Sequence, residues 1–374
     1  MERRNAPGDD VKPNPQTSRG VATQRKPQKH IRPTLQIIAE MLILHRTAFR
    51  RRPIIPKSLS KHATVPQQTR NFHYSPPQKN KDHDSTRKED PRLGHILSND
   101  FADIREKYDT PKFPIVLVHG LLGFSELHLA GPRFPGLKYW RGITEALTAN
   151  GVEVLIAEVP PSSSIEVRAA RLAEVIEQKA NGRAVNIIAH SMGGLDSRYM
   201  ISRLQPPNVS VLSLTTIATP HRGSAYADHV FDTLGTLTIA RIYKALNHIG
   251  FETDAFLQLT TAYMRKFNTQ TPDNAAVRYF SYGADLVPHF ASVFRHSHAI
   301  MQRAEGANDG LVSVASARWG TYKGTLENVS HLDMINWTNR WRWYLMKLTY
   351  GHERSFNAVA FYLDIADMLA KEGL

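Results

Sequence analysis

The chain has 374 residues, 41% hydrophobic and 22% charged, with a mean hydropathy of −0.36, enough for one large core plus a tail or for two small domains. It contains no cysteine, which excludes a disulfide framework, a thiol nucleophile and a thiolate metal site. The net charge of +13 points to nucleic acid only until it is divided: the first ninety residues hold 19 Lys and Arg against 8 Asp and Glu, leaving 28 against 26 for the rest, so no nucleic-acid partner is expected of the folded body.

Residues 1–90 read as a basic, largely disordered N-terminal region. The apolar run LQIIAEMLIL is too short to span a bilayer and contains Glu40, so no transmembrane helix is expected. From Met41 to Lys81 there is no Asp or Glu, while Arg46, Arg50, Arg51, Arg52, Lys57, Lys61 and Arg70 stand beside Leu42, Ile43, Leu44 and Phe49. An Arg-rich, acid-poor, Ser/Thr-bearing stretch has the composition of an organellar transit peptide, and RNFHYSPP resembles the end of a fungal mitochondrial presequence. Glu2, Asp9, Asp10 and Glu40 precede it, so this reading starts the presequence at Met41; a solvated basic tail is the alternative.

Residues 91–374 read as one folded domain. PIVLVHG is a buried strand ending in glycine, and GLKYWRGITEALTANG has helical spacing up to an Asn-Gly stop. VEVLIAEV is a second strand, and SSSIEVRAARLAEVIEQKANG is a helix opened by serines and closed by Asn181-Gly182. AVNIIAH, the helix MGGLDSRYMISRL and the strand VSVLSLTTIATP follow. Alternation of strands and helices predicts an α/β fold with a mostly parallel sheet and helices on both faces. Residues 222–275 interrupt the rhythm with helices alone, a helical insertion placed as a lid would be. VRYFSYGAD and KGTLENV resume the sheet, and one or two helices end the chain.

The turn after AVNIIAH reads Ala-His-Ser-Met-Gly. A nucleophilic serine at the top of a parallel sheet sits on a strained strand-to-helix turn flanked by small residues, here Ala189 and Gly193 around Ser191. Such a serine needs an oxyanion hole: the Met192 amide is one candidate donor, and the Leu121 amide in HGLLGF is the other. It also needs an acid and a histidine, in the chain order Ser, acid, His. His331 follows the last strand. Asp309, in a turn between the last two strands, is the leading acid, and Asp285, directly after a strand, is its rival. His289, His296 and His298 are expected on the surface or in loops. His221 and Arg222 are expected to tie down the loop after the fourth strand.

Taken together, HGLLGF, AHSMGGLDSRY, ATPHRGSAYAD, ANDGLVSVASARWG and SHLDMINW resemble the α/β-hydrolase lipases over roughly residues 111–350, both the bacterial true lipases and the fungal mitochondrial triacylglycerol lipases. The resemblance implies an α/β-hydrolase fold with Ser191 as nucleophile, Asp309 as acid, His331 as base and the Leu121 and Met192 amides as oxyanion donors. It implies a lipid-ester substrate, most directly triacylglycerol, and the helical insertion from residue 222 places the reaction at a membrane or lipid-droplet surface. Bacterial members hold a structural calcium through an Asp two residues after the histidine; Asp333 has that place, and no second carboxylate matches. No cofactor is expected to be required. Phospholipid or small-ester hydrolysis and acyl transfer use the same triad, and a catalytically dead binding protein is the reading from another class.

Overall fold

The computed structural model describes residues 91–98, 100–121, 123, 126–127, 137–233, 254–289, 292–337 and 356–374. The expected targeting segment at 41–81 and the centre of the expected lid lie outside these.

Seven strands form one sheet in the order β1 (Ile96–Leu97), β9 (Thr321–Glu327), β8 (Arg278–Asp285), β7 (Val211–Ile217), β6 (Val185–His190), β2 (Ile115–Val118) and β5 (Val154–Ala157). Every pairing in it is parallel. The apolar strands explain why. In β2, Ile115 and Leu117 join one core cluster while Val116 and Val118 join another, so consecutive side chains pack against opposite layers. On one face lie α1 (Ile143–Ala149) and α7 (Ala358–Lys371), which supply Leu147, Phe361 and Ile365. On the other lies α2 (Ile165–Ala180), which supplies Leu172, Val175 and Ile176. The fold is an α/β hydrolase sheet, more uniformly parallel than the alternation alone required.

Helix α2 starts where the serines predict: the Ser164 hydroxyl accepts from the Val167 amide, and Asn181 ends the helix in the left-handed region at φ 52°. Helix α1 is shorter than its spacing suggests. Leu137–Lys138 (β4) pairs antiparallel with Glu126–Leu127 (β3), and the helix opens only after Gly142 at φ 76°. Its first turn is closed by the Gly142 amide donating to Glu145. Of the insertion, residues 225–233 are helical, followed by α4 (Asp254–Gln258) and α5 (Thr261–Gln270). No described helix is long and apolar enough to cross a membrane.

Candidate active site

The site lies at the C-terminal ends of β2, β6, β8 and β9, where an open parallel sheet leaves a crevice between its crossover loops. Helix α3 (Gly193–Tyr199) follows β6 with only Ser191 and Met192 between. Ser191 takes φ 54°, a conformation that costs a residue with a Cβ about 1–2 kcal/mol. The strain is held from both sides: the Ser191 amide donates to Ile217 in β7, and its carbonyl accepts from the Thr219 hydroxyl at 2.7 Å. Two glycines let the turn form. A Cβ on Gly193 would stand 2.8 Å from the Val118 and His119 carbonyls, and one on Gly120 would stand 2.7 Å from the Ser191 Cβ. The HGLLGF loop therefore abuts the serine directly.

That loop is anchored from behind by residues that carry no motif. Arg168 of α2 is fully buried and pairs with Asp196 of α3 at 2.8 Å. Its guanidinium also donates to the carbonyls of Pro160, His119 and Gly120. His119 Nδ1 and the Gly123 amide donate to the Gly120 carbonyl as well. Because a trans peptide sets C=O and N–H on opposite sides, pulling the Gly120 carbonyl toward Arg168 turns the Leu121 N–H away from it. Met192 is buried at the first turn of α3, where helix amides lack internal partners. Burial raises the Asp196 carboxyl to about 6 against the opposing pull of Arg168.

Asp309 and His331 meet. His331 Nδ1 lies 2.7 Å from Asp309 Oδ2, and the His331 amide donates to the Asp309 carbonyl. Asp309 is fully buried, and its Oδ1 accepts from the Leu311 and Val312 amides at 2.9 and 2.8 Å. Asp285 is occupied elsewhere, its Oδ1 taking the Asn308 amide. The His331 loop is fixed by Ser330 and Asp333, whose side chains each accept the other's backbone amide in the manner of a capping box. The Ser330 hydroxyl also donates to Asp333 Oδ2. Asp333 is thus built into a turn. No group of three or more His, Asp or Glu that could hold a metal forms among the described residues.

Two other expectations meet the structure here. His221 and Arg222 do secure their loop: the His221 amide donates to Ser316, and Arg222 Nη1 donates to Ala315 and Arg318 carbonyls. His298 departs from its expected surface position, since it packs inward on α6 (Arg295–Ala304) and is 9% exposed.

Three histidines are held neutral. Burial lowers His119 to about 3, helped by Arg168. Burial sets His190 and His221 well below the ordinary 6.5, with the nearby His331 and Arg198 acting in the same direction. The unfolded chain binds these protons below 6.5 and the folded chain does not, so stability is lost as pH falls through 6.5. Each group loses about 1.4 kcal/mol between pH 7.5 and 5.5, and about that much again per pH unit below. The urea midpoint is expected to drop steeply between pH 7.5 and 5.5; a flat midpoint would show that these rings protonate in place.

The chain matches the family described as "Putative serine esterase (DUF676)" over residues 112–317. It is 38% identical over 320 residues to Triacylglycerol lipase 2 of Saccharomyces cerevisiae, covering 73% of this chain and 96% of that one. It is 28% identical over 298 residues to a triacylglycerol lipase of Pseudarthrobacter phenanthrenivorans, covering 62% and 91%. Among solved structures, the mature Bacillus licheniformis lipase BlEst2 superposes with a TM-score of 0.50 at 25% identity, over 66% of this chain and 96% of that one. With the family model matched over more than half of its length and that identity to the yeast protein, the chain belongs to the serine esterases of the α/β-hydrolase fold.

Proposed function

We propose that this chain hydrolyses lipid esters, with triacylglycerol as the substrate class, through Ser191, His331 and Asp309. The observation that carries the reading is the buried Asp309–His331 pair, formed at the same rim of the sheet as a serine held at positive φ. The names of the yeast and bacterial relatives support the lipid substrate.

The chemistry follows from these roles. His331 Nδ1–H donates to Asp309 Oδ2, which leaves Nε2 as the proton acceptor. Ser191 Oγ attacks the ester carbonyl as its proton passes to Nε2, and the Leu121 and Met192 amides donate to the oxyanion. Collapse breaks the C–O bond, and His331 gives its proton to the departing alcohol. Water, deprotonated by His331, then clears the acyl-enzyme. Losing either oxyanion donor costs about 10²–10³ in turnover.

The substrate class is tested by comparing a short soluble ester with emulsified long-chain triacylglycerol. Turnover of the emulsion, rising once substrate passes its solubility limit, is the expected result and supports action at a membrane or droplet surface. Activity confined to the soluble ester would make the chain a carboxylesterase. Turnover that requires an alcohol acceptor in place of water would make it an acyltransferase.

The composition of residues 41–81 supports a mitochondrial location, with residues 91–374 as the hydrolase domain behind a basic leader. Residues 41–90 fused to a fluorescent reporter are expected to direct it to mitochondria, and a diffuse cytosolic signal would end that proposal.

A further inference from the structure

Tyr139 lies in the turn before α1, far in sequence from the proposed triad, yet its hydroxyl lies among the loops that carry it. The Gly120 amide donates to Tyr139 Oη at 3.1 Å. Tyr139 Oη lies 2.7 Å from His190 Nδ1, and His190 Nε2 lies 3.2 Å from the His331 carbonyl. All four residues are buried.

The directions of these bonds are fixed by their ends. A backbone amide can only donate, so Tyr139 Oη accepts from Gly120. A backbone carbonyl can only accept, so the proton of neutral His190 is on Nε2 and points at His331. His190 Nδ1 is then a bare lone pair, and the Tyr139 proton is what faces it. One uninterrupted chain runs Gly120 N–H, Tyr139 O–H, His190 Nδ1, His190 Nε2–H, His331 C=O. It crosses from the loop that abuts Ser191, through the residue preceding Ser191, to the backbone of His331. The turn holding Tyr139 is itself tied to the His331 loop, because Trp337 Nε1 donates to the Tyr139 carbonyl and Asn336 to the Arg141 carbonyl.

We propose that Tyr139 is a positioning residue for ester hydrolysis: its hydroxyl locks the Gly120 loop, the serine turn and the His331 backbone into one register and fixes His190 as the Nε2–H tautomer. The inference rests on Ser191 and His331 acting as nucleophile and base. Two features give the lock a catalytic consequence. Hydrogen bonds in a buried network reinforce one another, and a member left unpaired there is costly, so the loops have a single satisfied arrangement. The His190 and His331 rings also stand 4.6 Å apart. A neutral His190 leaves His331 free to become the imidazolium that the reaction creates, whereas a charged one would oppose it.

The test uses the full chain and a soluble ester, with active sites counted by titration with an organophosphonate and Ser191→Ala as the blank. Tyr139→Phe keeps the ring and removes only the hydroxyl. Its kcat per titrated site is expected to fall about tenfold to a hundredfold, the scale of a small misplacement of reacting groups. KM is expected to stay within about twofold, because binding in the ground state is untouched. His190→Asn keeps an acceptor near the Nδ1 position and loses the donor to His331; the same loss of kcat is expected. The double variant is expected to be little worse than either single one, since both cut one chain.

A purely structural role would lower the number of titratable sites and the melting temperature while leaving kcat per site unchanged, and that result overturns the proposal. Nitrogen-15 spectra of the unmutated protein provide a test independent of whether either variant folds: His190 must show a bare Nδ1 and a protonated Nε2. The opposite tautomer, or a charged ring at neutral pH, overturns it as well. An active Ser191→Ala enzyme would remove the triad reading itself. An inactive one, beside a Tyr139→Phe enzyme of normal kcat, would remove only the role of Tyr139.

Discussion

Ser191→Ala is expected to abolish ester hydrolysis, with a fall on the order of 10⁶ in kcat, while the protein folds as before. The reasoning has two parts. Chemically, no other hydroxyl can replace the one carried on this turn, and the oxyanion donors alone supply only a residual rate. Structurally, alanine keeps the Cβ that serine has, so the cost of φ 54° is nearly the same in both. The backbone bonds of residue 191 to Ile217 and Thr219 do not involve its side chain. A companion variant sharpens the point. Ser191→Gly is expected to be equally inactive but more stable by about 1 kcal/mol, because glycine adopts positive φ without the Cβ clash. Thermal unfolding of the three proteins checks this, and retained activity in either variant would move the nucleophile elsewhere.

Asp309→Asn is expected to lower kcat by about 10⁴, with Asp285→Asn changing it far less. The two carboxylates lie near one another in the fold and both follow strands or turns of the right part of the chain. Asp309 Oδ2 lies 2.7 Å from His331 Nδ1. An asparagine there can present its NH₂ to Nδ1, which moves the histidine proton to Nε2 and leaves no acceptor for the serine proton. Its Oδ1 position can still take the Leu311 and Val312 amides, so the turn survives. Asp285 instead accepts from the Asn308 amide, and an asparagine carbonyl serves that purpose. Steady-state kinetics of the two variants settle the assignment; the reverse ranking would transfer the acid role to Asp285.

The strands were legible because parallel strands are buried on both sides and so read as aliphatic runs: IVLV, VNIIAH and VLSLTTI needed no further context. The edge strand Ile96–Leu97 and the Glu126–Leu127/Leu137–Lys138 pair were not, since two-residue strands have no period to detect. The spacing starts α1 too early because Leu137 and Tyr139–Trp140 mimic a helical stripe, and the tertiary position of Gly142 breaks it. Within the site, the serine turn announced itself through Gly193, which the close approach of the Val118 and His119 carbonyls makes obligatory. Chain order put Asp309 and His331 forward but could not separate Asp309 from Asp285, because their difference is one side-chain direction. Arg168, Asp196 and Tyr139 gave no local signal of their partners. An arginine among apolar residues on α2 was the one available clue, and its four acceptors come from three separate segments.

The site is also spread unevenly along the chain, and this has a consequence for biosynthesis. The serine turn is local to β6 and α3, yet 141 residues separate His190 from the His331 carbonyl it holds. During translation the strained serine can form well before β9 has been made, let alone inserted between β1 and β8. Parallel pairings of such high sequence separation close slowly. Hydrolytic competence therefore arrives late and all at once, when β9 docks and delivers its histidine. A chain whose β9 has not yet docked has a nucleophile without a base, and the lipids it meets are spared.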